Sequence, residues 1–307
     1  MGNSCDGIIL IDKNKGWTSH DVVKKVREVQ RIKKVGHAGT LDPFATGLLI
    51  ILLGQGTKLS SYIMRGEKRY RAIMRLGGET DTLDLTGRTV KTSRVPDMPL
   101  EYIMDTAQMF TGEIEQIPPA FSAVRYKGKR AYELARKGIK VDLKKRRVNI
   151  RSLKIVSVKL PDIAMDVICS HGTYIRTLAA DMGRQLGPGG HLIALRRLSS
   201  GPFLVEDALT LDKKSLSPTN NNLTENIISL QGALPDMKEI QIDGQMAGRI
   251  RNGCLPRYED LMEKSGFSEG CIKLVRDSDL VAIIKIYSLR GDTPKGVKIM
   301  RAFIKPA

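Results

Sequence analysis

The sequence predicts an α+β protein followed by a small all-β module at its C-terminal end. Apolar residues alternate with polar ones over residues 69–76 and 162–169, which is typical of half-exposed strands. They recur at helical spacing after Ser19 and over residues 100–110. Beyond a polar, Asn- and Ser-rich segment at residues 212–225, the pattern indicates only short β-like runs. The chain has 307 residues, enough for one large domain or two unequal ones.

The N-terminal part predicts a strand, a helix and a second strand around a glycine-rich loop. Residues 7–13 form a short apolar strand that ends in charged residues. Ser19 is a suitable N-cap for a helix whose apolar face consists of Val22, Val23, Val26 and Val29. The loop follows, and it runs directly into the uninterrupted apolar segment 48–53, which predicts a buried strand.

The middle and the end of the chain continue with further helices and strands. In the strand over residues 69–76, Tyr70 shares the apolar face and therefore points towards a core or a pocket. Thr173 is a suitable N-cap for a helix that starts after Gly172. Helices are predicted over 100–110 and 131–137, strands over 148–158 and 162–169, and a strand or short helix over 192–198. The expected C-terminal strands are 239–242, 271–275, 280–287 and 297–304.

The charge of the chain favours a polyanionic partner. Its formal net charge is +17, and residues 125–159 hold fourteen Lys and Arg against two acidic residues, with apolar and aromatic side chains between them. We call these residues the basic segment. It is expected to bind the phosphates of a nucleic acid. A merely solvated basic face and an anionic membrane surface are the alternatives, and the lack of an amphipathic helix with Trp and Phe disfavours the membrane.

Other features bound the class of protein. No apolar run approaches the roughly 20 residues that a membrane helix needs. The N-terminus has no basic stretch leading into a signal-type apolar segment, so we expect a cytoplasmic protein. The four cysteines are scattered without a CxxC pair, and the histidines lack metal-ligand spacing, so neither a disulfide framework nor a metal site is predicted.

Two local features point to a site. The loop at residues 36–49, GHAGTLDPFATGLL, places Asp42 between glycines and a proline at the edge of the apolar run. Taken alone, this is also the pattern of an ordinary Asp-Pro turn. Arg176 lies in the first turn of a predicted helix, where the helix dipole favours acidic residues, so a partner for it is expected elsewhere. The acidic loop at residues 79–87 lacks the register of a calcium loop.

Several motifs in the same order resemble the bacterial tRNA pseudouridine-55 synthase family. Residues 36–49 resemble the catalytic motif of that family. The other matching segments are 7–13 with 16–19, 68–72, 116–123, 172–176 and 195–198, so the resemblance covers roughly residues 7–205. One departure is Asn14, where the family usually has Pro after the lysine; the loss of that rigid φ puts the placement of Lys13 in doubt. The tail from about residue 233 resembles, more loosely, a PUA-type RNA-binding module.

The resemblance implies both a fold and an activity. The expected fold is a mixed, mainly antiparallel sheet with flanking helices and a central RNA-binding cleft. The expected activity is isomerisation of uridine 55 in the T-loop of tRNA, with no cofactor and no metal. We therefore expect a catalytic domain over residues 1–212, a linker over 213–232 and a PUA-like RNA-binding module over 233–307.

The resemblance also assigns roles to individual residues. It implies that Asp42 is the catalytic carboxylate, and charge makes Arg176 the partner that keeps it ionised. Tyr70 would stack on the uracil and accept or relay the ring proton; plain core packing is its alternative. The residues expected to contact substrate are Lys13 (supporting the loop or a phosphate), His37 (filling the space of the flipped base, or only capping the loop), and Tyr174 and Leu195 (walls of the pocket).

Two other functions remain open at this stage. A tRNA-binding chaperone would share the fold and the basic segment and would not need Asp42. A guide-RNA-dependent synthase of the archaeal and eukaryotic type is disfavoured by the short chain and the lack of long basic tails. We expect a monomer that acts on tRNA without a guide RNA or a membrane.

Overall fold

A single large sheet forms the first two thirds of the molecule. The computed structural model describes residues 5–210, 222–265, 269–288 and 295–303. In these ranges the sheet has ten strands, of which eight follow each other side by side. The elements of this part are β1 (Gly7–Lys13), α1 (Ser19–Gln30), β2 (Val35–Ala38), β3 (Thr46–Leu53), α2 (Ser60–Ile63), β4 (Lys68–Leu76), β5 (Gly78–Thr80), β6 (Thr89–Thr92), α3 (Leu100–Met109), β7 (Gly112–Gln116), β8 (Arg125–Tyr126), β9 (Lys129–Arg130), α4 (Ala131–Ala135), β10 (Arg146–Lys159), β11 (Asp162–Cys169), α5 (Ile175–Gln185), β12 (Gly190–Ser200), β13 (Phe203–Leu204) and β14 (Leu209–Thr210).

The strand order confirms the mixed, mainly antiparallel sheet. It runs β14-β1-β3-β12-β4-β11-β10-β7, with β2 paired to β3 and β13 paired to β12. The parallel pairs in this sheet are β1 with β14 and β3 with β12. The short hairpins β5–β6 and β8–β9 lie outside the sheet.

The central strand β3 is buried on both faces. Leu49, Ile51 and Leu53 belong to the core between the sheet and the helices α1, α3 and α5. Ile50 and Leu52 belong to a second core on the opposite face. A strand that is buried on both faces has no polar positions to alternate with, and this is why residues 48–53 are continuously apolar.

The C-terminal part packs onto that second face. It contains α6 (Asn222–Glu225), β15 (Glu239–Gln241), α7 (Gly244–Arg251), α8 (Tyr258–Ser265), β16 (Gly270–Arg276), β17 (Asp279–Ser288) and β18 (Lys295–Ala302). The strands form one sheet in the order β15-β16-β17-β18. Ile283 and Phe303 share the second core with Ile8 and Leu10 of β1. The four expected strands are present, and the helices α7 and α8 are additions that the sequence analysis did not predict.

Part of the expected linker over residues 213–232 lies outside the described residues. Its described end is attached to the sheet, because Ile8 and Ile228 exchange two backbone hydrogen bonds of 2.9 Å. This segment therefore forms part of the packing between the two regions.

Two helix caps differ from expectation. Thr18 is the N-cap of α1: its side chain accepts from the backbone N–H of Asp21, and Asp21 bonds back to the backbone of Thr18. Ser19 instead binds Leu41 of the glycine-rich loop, accepting from its N–H at 2.8 Å. Tyr174 stands at the N-cap position of α5 without a capping side chain, and the Thr173 hydroxyl donates to the carbonyl of Ser170. The first turn of α5 therefore has no side-chain cap.

The second core is shared by the large-sheet region (residues 5–210) and the C-terminal region (from residue 222), and this predicts that the two regions unfold together. Ile283 is fully buried there, so Ile283→Ala should lower the free energy of unfolding by about 2–5 kcal/mol. Trp17 is the one tryptophan of the chain and lies in the first region. In the Ile283→Ala variant, we expect the urea transition followed by Trp17 fluorescence to move to a lower urea concentration, together with the transition followed by circular dichroism. The control Val156→Ala, at a half-exposed position, should change stability by less than about 0.5 kcal/mol. An unmoved Trp17 transition would mean that the regions unfold independently.

Candidate active site

One row of paired residues across the sheet brings candidate side chains together. Lys13 of β1 is paired with Gly47 of β3, Gly47 with Arg197 of β12, and Arg197 with Tyr70 of β4. Side chains in one row stand on the same face of a sheet about 5 Å apart. Gly47 has φ +97°, and a Cβ there would approach the carbonyl oxygen of Arg197 to 2.3 Å. Only glycine therefore allows β3 and β12 to come this close where Gly47 meets Arg197.

Asp42 lies beside this row, on the loop between β2 and β3. Several contacts fix the loop. Lys13 Nζ donates to the carbonyls of Trp17 at 2.7 Å and Pro43 at 3.4 Å, and the N–H of Gly16 donates to Pro43 at 2.8 Å. With the Ser19 contacts to Leu41, the chain is held on both sides of Asp42. The lysine supports this loop through carbonyls even though Asn14 replaces the usual proline.

Arg176 is the centre of the site. Its side chain is 5% exposed, and its Nε and Nη2 lie 3.1 Å from the two carboxylate oxygens of Asp42. Its Nη1 donates to Asp84 Oδ2 at 3.2 Å and to the carbonyl of Thr82 at 3.0 Å, and Nη2 also donates to the carbonyl of Phe121 at 2.9 Å. Each of the two terminal nitrogens thus makes two hydrogen bonds, and Nε adds an ion-pair contact with Asp42. The expected pairing of Asp42 with Arg176 is present.

Asp84 is a second carboxylate on the same guanidinium, and the sequence analysis did not identify it. Its side chain is 4% exposed. Oδ1 accepts from the hydroxyl of Thr82 at 2.8 Å, and from the hydroxyl and the N–H of Thr86 at 2.6 and 2.8 Å. The signal that could have found it was the combination of an acidic loop with an arginine that lacked a partner.

Burial and the charges of Arg176 and Lys13 act in opposite directions on the pKa of the Asp42 carboxyl. The side chain remains 31% exposed. Burial raises its pKa above the usual value, Arg176 and Lys13 act in the opposite direction, and Asp84 adds to the rise. Burial also lowers the pKa of Lys13 to about 8. Because Arg176 stays protonated, the carboxylate keeps at least one permanent positive charge beside it.

Tyr70 is buried in the row described above, 8% exposed, as the period of its strand predicted. Burial raises the pKa of its hydroxyl, and the guanidinium of Arg197 opposes that rise. Leu195, also buried, is paired with Ala72, two residues from Tyr70 on β4. Tyr174 is half-buried at the start of α5, where its N–H donates to the side chain of Gln116 at 3.0 Å.

His37 stands on β2, paired with Ile51 of β3. It is half-buried, and its Nδ1 is buried without a hydrogen-bond partner among the described residues. Burial lowers its pKa, and the charges of Arg197, His20 and Arg130 act in the same direction. The ring is therefore neutral near pH 7 and carries an unused polar atom.

The basic segment borders this site. All fourteen of its Lys and Arg residues are exposed. It begins four residues after Phe121, whose carbonyl accepts from Arg176, and includes the β8–β9 hairpin. Some of its charges form exposed ion pairs with glutamates, as Lys145 does with Glu115 at 3.3 Å. A solvated basic surface thus adjoins the buried Asp42–Arg176–Asp84 cluster.

No helix in the described ranges is long and apolar enough to cross a membrane. No group of three or more His, Cys, Asp or Glu side chains in the same ranges is arranged to hold a metal ion.

Comparison with known proteins gives consistent matches over nearly the whole chain. Residues 27–175 match the family model described as TruB family pseudouridylate synthase (N terminal domain), and residues 176–225 match the tRNA pseudouridylate synthase B C-terminal domain. The chain is 41% identical over 303 residues to the tRNA pseudouridine synthase B of Geotalea uraniireducens, covering 97% of both chains. It is 40% identical to that of Geobacter sulfurreducens, covering 97% of this chain and 99% of the relative.

The fold also matches solved structures. A chain of a Cbf5-Nop10-Gar1 complex superposes with a TM-score of 0.73 at 25% identity, covering 98% of this chain and 86% of that chain. A chain of an H/ACA RNP bound to a substrate RNA containing 2′-deoxyuridine superposes with a TM-score of 0.72 at 23% identity, covering 98% of this chain and 86% of that chain.

The geometry of the carboxylate cluster predicts opposite pKa changes for two variants. Asp84→Asn removes a negative charge near Asp42 and should lower the pKa of Asp42. Arg176→Gln removes the main attracting charge and should raise it. Titration of the Asp42 carboxyl carbon by NMR in 13C-labelled protein measures both. Asp81→Asn, in the same loop as Asp84 but paired with the exposed Arg88, is the control and should leave the value unchanged. Shifts in the same direction for both variants would contradict this electrostatic account.

Proposed function

The chain belongs to the TruB family of pseudouridylate synthases, and we propose that it converts uridine 55 in the T-loop of tRNA to pseudouridine with Asp42 as the catalytic carboxylate. The observation that supports this most directly is the Asp42 carboxylate itself. It is held against Arg176 in a glycine-framed loop, remains partly exposed and lies next to a basic surface. Relatives named tRNA pseudouridine synthase B align over 97% of the chain.

The proposed reaction moves the ribose–uracil bond from N1 to C5 of the ring. The bond between C1′ of the ribose and N1 of uracil breaks, the detached ring turns, and a bond from C1′ to C5 forms. The C5 proton leaves, and N1 gains a proton, so no external reductant or oxidant is needed. An ionised carboxylate can attack the sugar or the ring, or take a sugar proton. Each route starts from ionised Asp42, which Arg176 stabilises against the cost of burial.

Tyr70 and its neighbours form the remainder of the proposed pocket. The buried ring of Tyr70 offers a face for stacking, and its hydroxyl can accept or relay the C5 proton. Leu195 and Tyr174 would confine the detached uracil while it turns. Lys13 is assigned to the loop and not to a phosphate, because its Nζ already donates to three backbone carbonyls.

The target base lies inside a folded RNA loop and must be turned out of its stack, at a cost of a few kcal/mol. His37 suits the space that the base vacates. It is neutral, half-buried and carries an unpartnered Nδ1 that a nucleotide could satisfy. The basic segment would bind the phosphates of the T stem, and the module over residues 233–307 is proposed to extend the RNA-binding surface.

The same comparison supports the proposed substrate. The relatives named tRNA pseudouridine synthase B are far closer in sequence than the chain of the Cbf5-Nop10-Gar1 complex, at 41% against 25% identity. This favours direct action on tRNA by a single chain, without a guide RNA, and the cytoplasm stays the expected location. A chaperone role remains compatible with the same binding surface, and it would not depend on Asp42.

Removal of the Asp42 carboxylate tests the catalytic assignment. Asp42→Asn should lower the rate of pseudouridine formation on an unmodified tRNA transcript by at least about 10²–10⁴-fold, because the group that acts in the transition state is removed. Affinity for tRNA should be retained. Primer-extension mapping after chemical modification of pseudouridine gives the position, and Asp81→Asn is the matched control.

Each contrary result has its own meaning. If the wild-type protein bound tRNA but formed no pseudouridine, the proposed enzymatic activity would be wrong and a chaperone role would be favoured. Modification at a position other than 55 would overturn the specificity alone. A fully active Asp42→Asn variant would overturn the catalytic assignment.

The basic segment predicts a steep salt dependence of tRNA binding. Replacement of Lys137, Lys140 and Lys144 by Gln should make the plot of log K against log salt shallower, by up to about 0.7–0.9 for each phosphate that is no longer neutralised. The matched control replaces Arg69, Arg71 and Arg75, which pair with Asp166 and Asp162 on the other face of β4 from Tyr70. Fluorescence anisotropy with labelled tRNA measures both slopes. Equal slopes for the two triple variants would show that the segment is not the binding surface.

A further inference from the structure

Arg197 is a buried cation to which the proposed reaction assigns no role. It is 1% exposed, among the most buried large side chains of the described residues. No ion pair with a carboxylate is found for it in the described part of the chain, whereas the adjacent Arg196 pairs with Asp12 through contacts of 3.0 and 2.6 Å. Burial of an arginine without a carboxylate is costly unless its N–H groups meet fixed acceptors.

Its acceptors bracket the loop that carries Asp42. Nε donates to the carbonyl of Leu48 at 2.7 Å, and Nη2 donates to the carbonyl of Gly39 at 3.1 Å. Gly39 precedes Asp42 by three residues and Leu48 follows it by six, so one planar guanidinium ties both ends of the loop. Gly39 has φ +101°, a backbone conformation that residues with a side chain rarely adopt, so glycine is favoured at this end of the clamp.

The same guanidinium lies beside Tyr70. The two residues are paired across β12 and β4, and the charge of Arg197 favours the ionised form of the tyrosine hydroxyl, lowering its pKa. Asp42 acts on the pKa of the same hydroxyl in the opposite direction. Arg197 therefore contacts the loop that carries Asp42 and lies beside Tyr70, while it is itself fully buried.

We propose that Arg197 is a positioning residue of this reaction, which fixes the Asp42 loop through the carbonyls of Gly39 and Leu48 and sets its distance from Tyr70 across the sheet. The inference rests on the proposed function. In this proposal the register of β3 and β12, which pairs Gly47 with Arg197, places the guanidinium where it can hold the Asp42 loop. Misplacement of a reacting group by about 1 Å can cost about 10²-fold in rate, so such a clamp has a measurable effect.

A merely structural arginine would give a different pattern of kinetics. Removal of a structural side chain lowers the stability and the amount of folded protein, and the molecules that remain folded turn over normally. Removal of a positioning side chain lowers kcat in folded protein while tRNA affinity stays the same. The geometry of the fork also matters, because an ammonium at this position keeps the charge but has no planar fork to span two carbonyls.

The test compares two pairs of variants on adjacent residues. Arg197→Lys and Arg197→Met are measured beside Arg196→Lys and Arg196→Met, with folded protein quantified by near-UV circular dichroism. We expect kcat to fall about 10²-fold in Arg197→Met and less in Arg197→Lys, with KM for tRNA within about threefold of wild type. Both Arg196 variants should keep kcat within about threefold, although the ion pair with Asp12 is weakened or removed.

The outcomes separate the two proposals. An inactive wild-type protein would overturn the proposed function. An active wild type with unchanged kcat in folded Arg197→Met would overturn the positioning role alone, and so would an equal fall of kcat in Arg196→Met. If Arg197→Met does not fold, Arg197→Lys decides: an unchanged kcat in that variant contradicts the need for a planar fork.

Discussion

The site depends on one buried guanidinium that is shared by two carboxylates. Arg176 contacts Asp42 and Asp84 and also binds two backbone carbonyls, so both of its terminal nitrogens make two hydrogen bonds each. Burial of three charged groups is unfavourable by itself, and removal of one partner would leave another uncompensated. The loop of Asp42, the acidic loop, the link that holds Phe121 and the start of α5 therefore meet at one point. An arginine suits this position because its planar fork spans four separate acceptor groups.

The fold supplies the frame for that cluster through the register of its sheet. Lys13, Gly47, Arg197 and Tyr70 stand in one row, so a shift of any strand by one residue would turn its member to the other face. β3 cannot shift easily, because both of its faces are packed in cores. Strands with two buried faces thus determine not only stability but also which side chains lie next to Asp42.

The sequence predicted what short-range patterns encode. The two-residue period placed Tyr70 inside, the apolar run became β3, and the arginine misplaced at a helix start did have its partner in Asp42. Asp84 escaped because an acidic loop resembles a solvated turn, and its contact with Arg176 spans 92 residues. The clamp formed by Arg197 escaped because cross-strand register is a long-range property. The cap of α1 was predicted one residue too late, at Ser19, since serine and threonine are both suitable caps.

The contact between Arg176 and Phe121 links the start of the basic segment to the Asp42 carboxylate. The carbonyl of Phe121 stands at the base of the basic segment and accepts from the same nitrogen that donates to Asp42 Oδ1. Burial raises the pKa of this carboxyl and favours its neutral form, whereas Arg176 favours the ionised one. The balance between them depends on a guanidinium that is held in part by the carbonyl of Phe121, four residues before the basic segment.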